Sequence, residues 1–152
     1  MDKAERGVVS DVEEYGWSVM RVMEGDQGPG FAFTIGLYHT FKHPEILMIG
    51  LDIDFMSRIL NNLGDDAKKG VYYEAGKQYS EVVETFLCSF QKIDEKFYRD
   101  YLGTAMWFYK GTSFPALQCV YPDMAGRYLW DPDVNPELVE MQPLLADAIL
   151  SG

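Results

Sequence analysis

Along this chain apolar residues recur at three- and four-residue steps in some stretches and at two-residue steps in others, and the change of period marks where helix gives way to strand. Val8, Val9, Val12 and Tyr15 share a helical face over about residues 3 to 14, with Asp2 placed to cap the start and Gly16 to end it. From Trp17 to Met23 the period shortens, with Trp17, Val19, Arg21 and Met23 on one side of a strand and Ser18, Met20 and Val22 on the other. The turn-rich run from Glu24 to Gly30 separates it from a second, mostly apolar strand, Phe31 to Leu37, expected to run antiparallel to the first and to lie centrally in a sheet.

A loop from Tyr38 to Pro44 leads to a third buried strand, Glu45 to Leu51. Asp54 is the expected cap of the next helix, whose apolar stripe is Phe55, Met56, Ile59, Leu60 and Leu63, with Gly64 and Gly70 bracketing a frayed end. Valine, threonine and phenylalanine at period two make Tyr79 to Ile93 a β-rich stretch. Asp94 then opens one long helix, because Phe97, Tyr98, Tyr101, Leu102, Ala105, Met106 and Tyr109 recur at helical spacing before Gly111. A strand over about Ala116 to Tyr121 and a short extended piece over Arg127 to Trp130 follow. Asn135-Pro136 begins a last helical segment, which Pro143 divides. This order lacks the strand–helix alternation of a doubly wound sheet. It predicts a single α+β domain over residues 1–152, with packed helices on a mainly antiparallel sheet that curls toward a barrel at most, and an acidic helical segment over 135–151.

Composition narrows the picture. A chain of 152 residues suits one core, and its 47% hydrophobic content includes no run near the roughly 18 to 20 apolar residues that cross a bilayer. The opening Met1-Asp2-Lys3-Ala4-Glu5-Arg6 leads into no apolar signal core, so a cytoplasmic address is expected and no membrane partner. Cys88 and Cys119 are far apart in sequence and lie in apolar strand-like runs, where free thiols act as small hydrophobes. A formal charge of −11 disfavours nucleic acid and favours a basic protein partner, although excess carboxylate also serves plain solubility. From Pro122 onward Asp123, Asp131, Asp133, Glu137, Glu140 and Asp147 stand against Arg127 alone, so a basic partner is drawn to this end.

Several blocks occur together in order: Gly16-Trp17, Phe31 to Leu37, His43-Pro44-Glu45 leading into Ile46 to Leu51, Leu117 to Asp123, and Gly126 to Asp131. With these blocks the chain resembles the bacterial domain of unknown function 4262 family over about residues 15 to 131. Phe33 stands where that family often has tyrosine and Leu129 where it often has proline. The resemblance implies a bacterial setting and a set of positions to inspect, and no mechanism.

The candidate chemistry is sparse. His39 and His43 with Glu45 have metal-ligand character, but Pro44 sets them in a loop without helical facing, and no metal is assigned; a loop-to-strand junction is the structural alternative. No phosphate-binding loop, nucleophile elbow or dinucleotide fingerprint is present, and no cofactor is assigned. Carboxylate pairs drawn from Glu45, Asp123 and Asp131 would suit acid–base work if they met in a dry pocket. Tyr72, Tyr73, Trp107, Tyr109, Tyr121, Tyr128 and Trp130 would line a groove for a flat ligand such as flavin, or simply pack. The segment Phe114 to Asp131 is either a site or a rigid corner, with Gln118, Asp123, Trp130 and Asp131 as its unexplained residues. The binding candidates are therefore His43, Glu45, Gln118, Asp123, Trp130, Asp131, Asp133 and Glu137. The leading expectation is a protein-binding protein, in concrete form an immunity-type inhibitor of a basic toxin; the alternative is a small enzyme or flavin-type domain.

Overall fold

The structure is a computed structural model that describes residues 1–150. Helix α1, Lys3–Tyr15, starts as its sequence predicts: Asp2 Oδ1 accepts the Glu5 N–H at 2.8 Å and Glu5 Oε1 accepts the Asp2 N–H at 2.9 Å. It stops at Gly16, whose φ of 102° turns the chain back at once into strand β1, Ser18–Val22. Strand β2, Phe31–Ile35, pairs antiparallel with β1, Ser18 opposite Ile35 and Val22 opposite Phe31.

The expected loop after β2 contains a five-residue helix, α2, Leu37–Phe41. Nothing local favours so short a helix, and its initial N–H groups are held instead by the side chain of Glu45. That residue opens β3, Glu45–Ile49, which is buried along its whole length. Helix α3, Ile53–Lys68, is capped by Asp52 rather than Asp54; Asp52 Oδ2 accepts the Phe55 N–H at 3.0 Å while Asp54 pairs with Arg21. Gly64 lies inside α3, not at its frayed end, and its bare Cα makes room for the ring of Trp17.

The β-rich stretch resolves into a hairpin of β4, Gln78–Val83, and β5, Phe86–Lys92. The single long helix expected after it is broken into a 3-10 turn, Glu95–Phe97, and two short helices, α4, Tyr98–Tyr101, and α5, Gly103–Tyr109. Two competing demands break it. Leu102 leaves helical geometry at φ −121° and ψ 33° while fully buried, and Asp94 turns its carboxylate to the Asp147 N–H instead of capping. Strand β6, Ala116–Val120, follows, and the extended piece expected over Arg127 to Trp130 is a turn. Helix α6, Pro136–Met141, is capped by Asn135 as predicted, but no second helix follows Pro143 among the described residues.

The six strands form one sheet in the order β1-β2-β3-β6-β5-β4, antiparallel at every junction except the central parallel pair β3 and β6. The sheet is open, with β1 and β4 as its edges, so it does not curl into a barrel. The central place expected for β2 belongs to β3 and β6. One face, through Ala32, Ile46, Met48, Cys88, Phe90, Leu117 and Cys119, packs on α3. The other, through Phe33, Ile35, Leu47, Ile49 and Ala116, packs on Val8 of α1, on Tyr98, Leu102 and Ala105 of α4 and α5, and on Leu145 of the C-terminal segment. The molecule is thus an α+β fold of three layers.

Candidate functional site

Glu45 is fully buried at the start of β3, where an isolated carboxylate would cost several kcal/mol. Five donors surround it. Oε1 accepts from Thr34 Oγ1 at 2.8 Å and the Leu37 N–H at 3.2 Å; Oε2 accepts from the Gly36 N–H at 3.0 Å, the Tyr38 N–H at 3.2 Å and the Tyr109 hydroxyl. Thr34 in turn accepts the Ile46 N–H at 2.9 Å, so the network ties β2, α2, β3 and α5 together. Burial raises the Glu45 acid above the ordinary carboxylate range, against the pull of the hydrogen bonds from Tyr109, Thr34, Tyr38 and Gly36. Burial, and then the Glu45 charge, push the Tyr109 phenol well up. With every acceptor position filled and no solvent contact, this carboxylate anchors backbone and has nothing left for a substrate.

His43 is equally committed. Its Nδ1–H donates to the Pro44 carbonyl at 2.8 Å and its Nε2 accepts the Tyr73 N–H at 3.0 Å, which requires a neutral ring. Burial lowers the imidazole below its ordinary range, with the bond to Pro44 opposing. His39 lies on the exposed side of α2 with its ring edge-on to Phe108, whereas His43 packs against Tyr72 and Tyr73. Among the described residues no three His, Cys, Asp or Glu side chains gather as metal ligands.

Gln118 in the middle of β6 is a clamp. Its Nε2 donates to the Pro143 carbonyl at 2.8 Å and its Oε1 accepts the Leu145 N–H at 2.9 Å, so the side-chain amide takes the part of a neighbouring strand. Gln91, opposite Gln118 on β5, holds Leu150 N–H and C=O in the same way at 2.9 and 3.1 Å, and Gln142 does so for Tyr121 at 3.1 and 2.9 Å. Three buried amides thus fasten the C-terminal segment to the sheet without a ladder of its own.

Asp123 organises the corner after β6. Oδ1 accepts the Ala125 and Arg127 N–H groups, both at 2.9 Å, while Oδ2 accepts the Asn135 N–H at 3.0 Å and Arg127 Nε at 3.3 Å. The backbone of Arg127, above all, holds its carboxyl below the usual range. Asp131 Oδ2 closes the next turn on the Tyr128 N–H at 2.8 Å, and Trp130 stacks on Tyr128 with centroids 5.0 Å apart. Asp133 and Glu137 are exposed, and among the described residues no cation pairs with either. None of these groups hydrogen-bonds to His43 or Glu45, so the sequence's candidates do not assemble into one centre. Of the aromatic residues proposed for a groove, Tyr73 stacks on Phe90 at 4.9 Å, Tyr109 on Phe114 at 4.7 Å, and Tyr121 donates to the Ile49 carbonyl at 2.8 Å, while Tyr72 and Trp107 are exposed.

Cys88 and Cys119, remote in sequence, are neighbours across β5 and β6, both buried and both free thiols. The hydrogen bond that the Cys119 thiol donates to Cys88, followed by burial, pushes Cys119 well up. A cleft of about 580 Å³ lies between the Gly25 to Gly30 loop, the end of β3 and Met141. Its wall contains none of the sequence's candidates.

The elements that carry these anchors, from the end of α1 to the cap of α6, match one family model over residues 11–135, described as a domain of unknown function, DUF4262. The chain belongs to the DUF4262 family. No curated protein matches the chain, and no solved structure matches it either. The DUF4262 match encloses Thr34, Glu45, His43, Gln118 and Asp123, the residues whose side chains satisfy backbone groups here. In this chain the blocks that resemble the family are therefore built into its frame. Thr34, Gln91 and Gln142 were not among the sequence's candidates, and Tyr109 was one only as a groove-lining aromatic. A readable signal existed for the first: one hydroxyl inside Phe31-Ala32-Phe33-Thr34-Ile35 and one carboxylate opening an otherwise apolar strand require each other.

Proposed function

We propose that this DUF4262 protein works by binding a basic protein through the acidic face built by residues 122–141, with an immunity-type inhibitor of a basic toxin as its concrete form. One observation carries the reading. The sole basic residue of that segment, Arg127, is used internally by Asp123, so Asp133, Glu137 and Glu140 stand exposed without an ion-pair partner among the described residues. The same segment also exposes apolar groups: Met124 is 91% exposed, Val139 48% and Met141 42%. Exposed apolar groups mixed with charge suit a protein-binding surface, and unpaired like charge steers an oppositely charged partner. The platform is firm, because Asp123 ties Arg127 to Asn135 within it, Asn135 caps α6, and Gln142 fastens its end to Tyr121 after β6.

The test is capture of a partner from the cells that make the protein, at low and high salt, with the native chain and with Asp133→Asn/Glu137→Gln/Glu140→Gln. Asp131 is left intact because its carboxylate closes a turn. The expected result is a basic partner whose association slows about tenfold or more in the triple variant and falls steeply with salt. A partner held equally well by the triple variant, or a copurified chromophore with no partner, overturns the reading.

A further inference from the structure

The open edge of β1 carries a second feature, remote in sequence from the acidic α6 segment. A cleft of about 430 Å³ runs along it, with Asp11 and Tyr15 of α1 on one wall and Ser57, Asn61 and Asp65 of α3 on the other, over Trp17. The residues of each wall recur at four-residue steps, so they form two polar ridges that face each other across the strand edge. On α3 this ridge runs beside the apolar stripe that packs on the sheet.

Ser57 singles the cleft out. It is 9% exposed, and its hydroxyl is the one buried side-chain polar atom among the described residues with no hydrogen-bond partner. Buried hydroxyls are nearly always paired, and this one, out of contact with solvent, has no bond to lose by turning about its Cα–Cβ bond into the cleft that its residue lines, where a ligand donor would satisfy it. The charge of the cleft gives the ligand's sign. Asp11 and Asp65 stand against a single guanidinium, Arg21, which is committed to Asp54 at 2.9 Å. Glu14, followed by burial and Asp11, pushes the Tyr15 phenol upward, as a negative potential at the mouth requires. Asp11 Oδ2 accepts from Ser18 Oγ at 2.7 Å, and no protein donor reaches Oδ1 or the Asp65 carboxylate among the described residues.

We propose that the β1-edge cleft binds an alkylammonium or guanidinium group, with Asp65 and Asp11 supplying the charge, Ser57 Oγ turning into the cleft to accept a hydrogen bond and the exposed Tyr15 ring offering its face to the cation. The site does not depend on the acidic α6 face, and either can fail without the other. Trp17 supplies a built-in reporter, since its indole N–H donates to Asn61 Oδ1 at 3.0 Å on the cleft wall.

The experiment titrates the ¹⁵N-labelled full chain with agmatine, a free amine and guanidine, and separately with acetyl-lysine methylamide, which presents a protein-like side chain. The expected result is a saturable shift of the Trp17 indole resonance with at least one probe. Asp65→Asn should weaken binding about tenfold, the scale of one charged hydrogen bond, with thermal stability unchanged. Ser57→Ala removes a hydroxyl that no protein group uses, so it should keep the fold and still weaken binding severalfold. Tighter binding of agmatine identifies a small free amine as the ligand, and tighter binding of the lysine mimic identifies a protein side chain. No saturable shift with either probe, the same shift from sodium chloride at matched ionic strength, or unchanged binding in Asp65→Asn overturns the proposal.

Discussion

Replacing Gly64 by alanine tests the packing on which α3 depends. A Cβ at this position would lie 2.3 Å from Trp17 Cε2, 2.6 Å from Cζ2 and 2.7 Å from Nε1, where an ordinary contact is at least 3.4 Å. The indole would have to retreat by about 1 Å, and the neighbouring Phe41 ring, 6.1 Å from it between centroids, gives it little room. Overpacking of this kind costs about 1–3 kcal/mol, and moving the indole forfeits its bond to Asn61, about another 1 kcal/mol. Against this, alanine inside a helix gains about 1 kcal/mol over glycine. The net expectation is a loss of about 1–3 kcal/mol, or a Tm lower by roughly 2–10 °C for a chain of this size. Urea and thermal unfolding followed by tryptophan fluorescence measure it. Combining Gly64→Ala with Trp17→Phe should cost less than the sum of the two single changes, because the smaller ring yields the space. A Gly64→Ala protein as stable as the native one, or more so, would refute the reasoning, since helix propensity alone would then decide the outcome.

Two further outcomes follow from the buried polar groups. Glu45→Ala removes the acceptor for five buried donors and should destabilise by more than about 3 kcal/mol in urea unfolding, whereas Tyr109→Phe, which removes one donor, should cost no more than about 3 kcal/mol; equal costs would contradict the anchoring role. His43 is held neutral in the fold, below its ordinary range, while in the unfolded chain it takes up a proton as the pH falls through about 6.5. Its contribution is therefore complete above that pH and is lost as the pH falls toward the folded value. The urea midpoint should drop between about pH 7 and pH 5, and a slope unchanged in His43→Gln would show that another group is responsible.

The departures from the expected elements share a cause. The helix expected from Asp94 to Tyr109 has flawless apolar spacing, yet it is broken because Asp94 is drawn to Asp147 and Leu102 is pulled into the second core. The segment Tyr38 to Pro44 reads as a loop because no local residue caps α2; its cap is the carboxylate of Glu45, delivered by the next strand. Gln118, Asp123 and Glu45 were legible as unusual polar residues within apolar runs, but their partners lie elsewhere in the chain. Pro143 and Leu145 hold the first, Arg127 and Asn135 the second, Thr34 and Tyr109 the third.

By itself the sequence determined the α+β class, four of the six strand positions singly and the β4–β5 hairpin as one β-rich stretch, the faces of α1 and α3, and the concentration of acid at the C-terminal end. These follow from period and composition, which act on near neighbours. Tertiary structure decided the strand order with β3 and β6 at its centre, the meeting of Cys88 with Cys119, and the use of each buried polar group. It also set Asp11 and Tyr15 opposite Ser57, Asn61 and Asp65 across the edge of β1. The physical reason is that a buried donor or acceptor must be paired wherever the fold brings a partner, and that partner's distance along the chain leaves no mark in any local pattern.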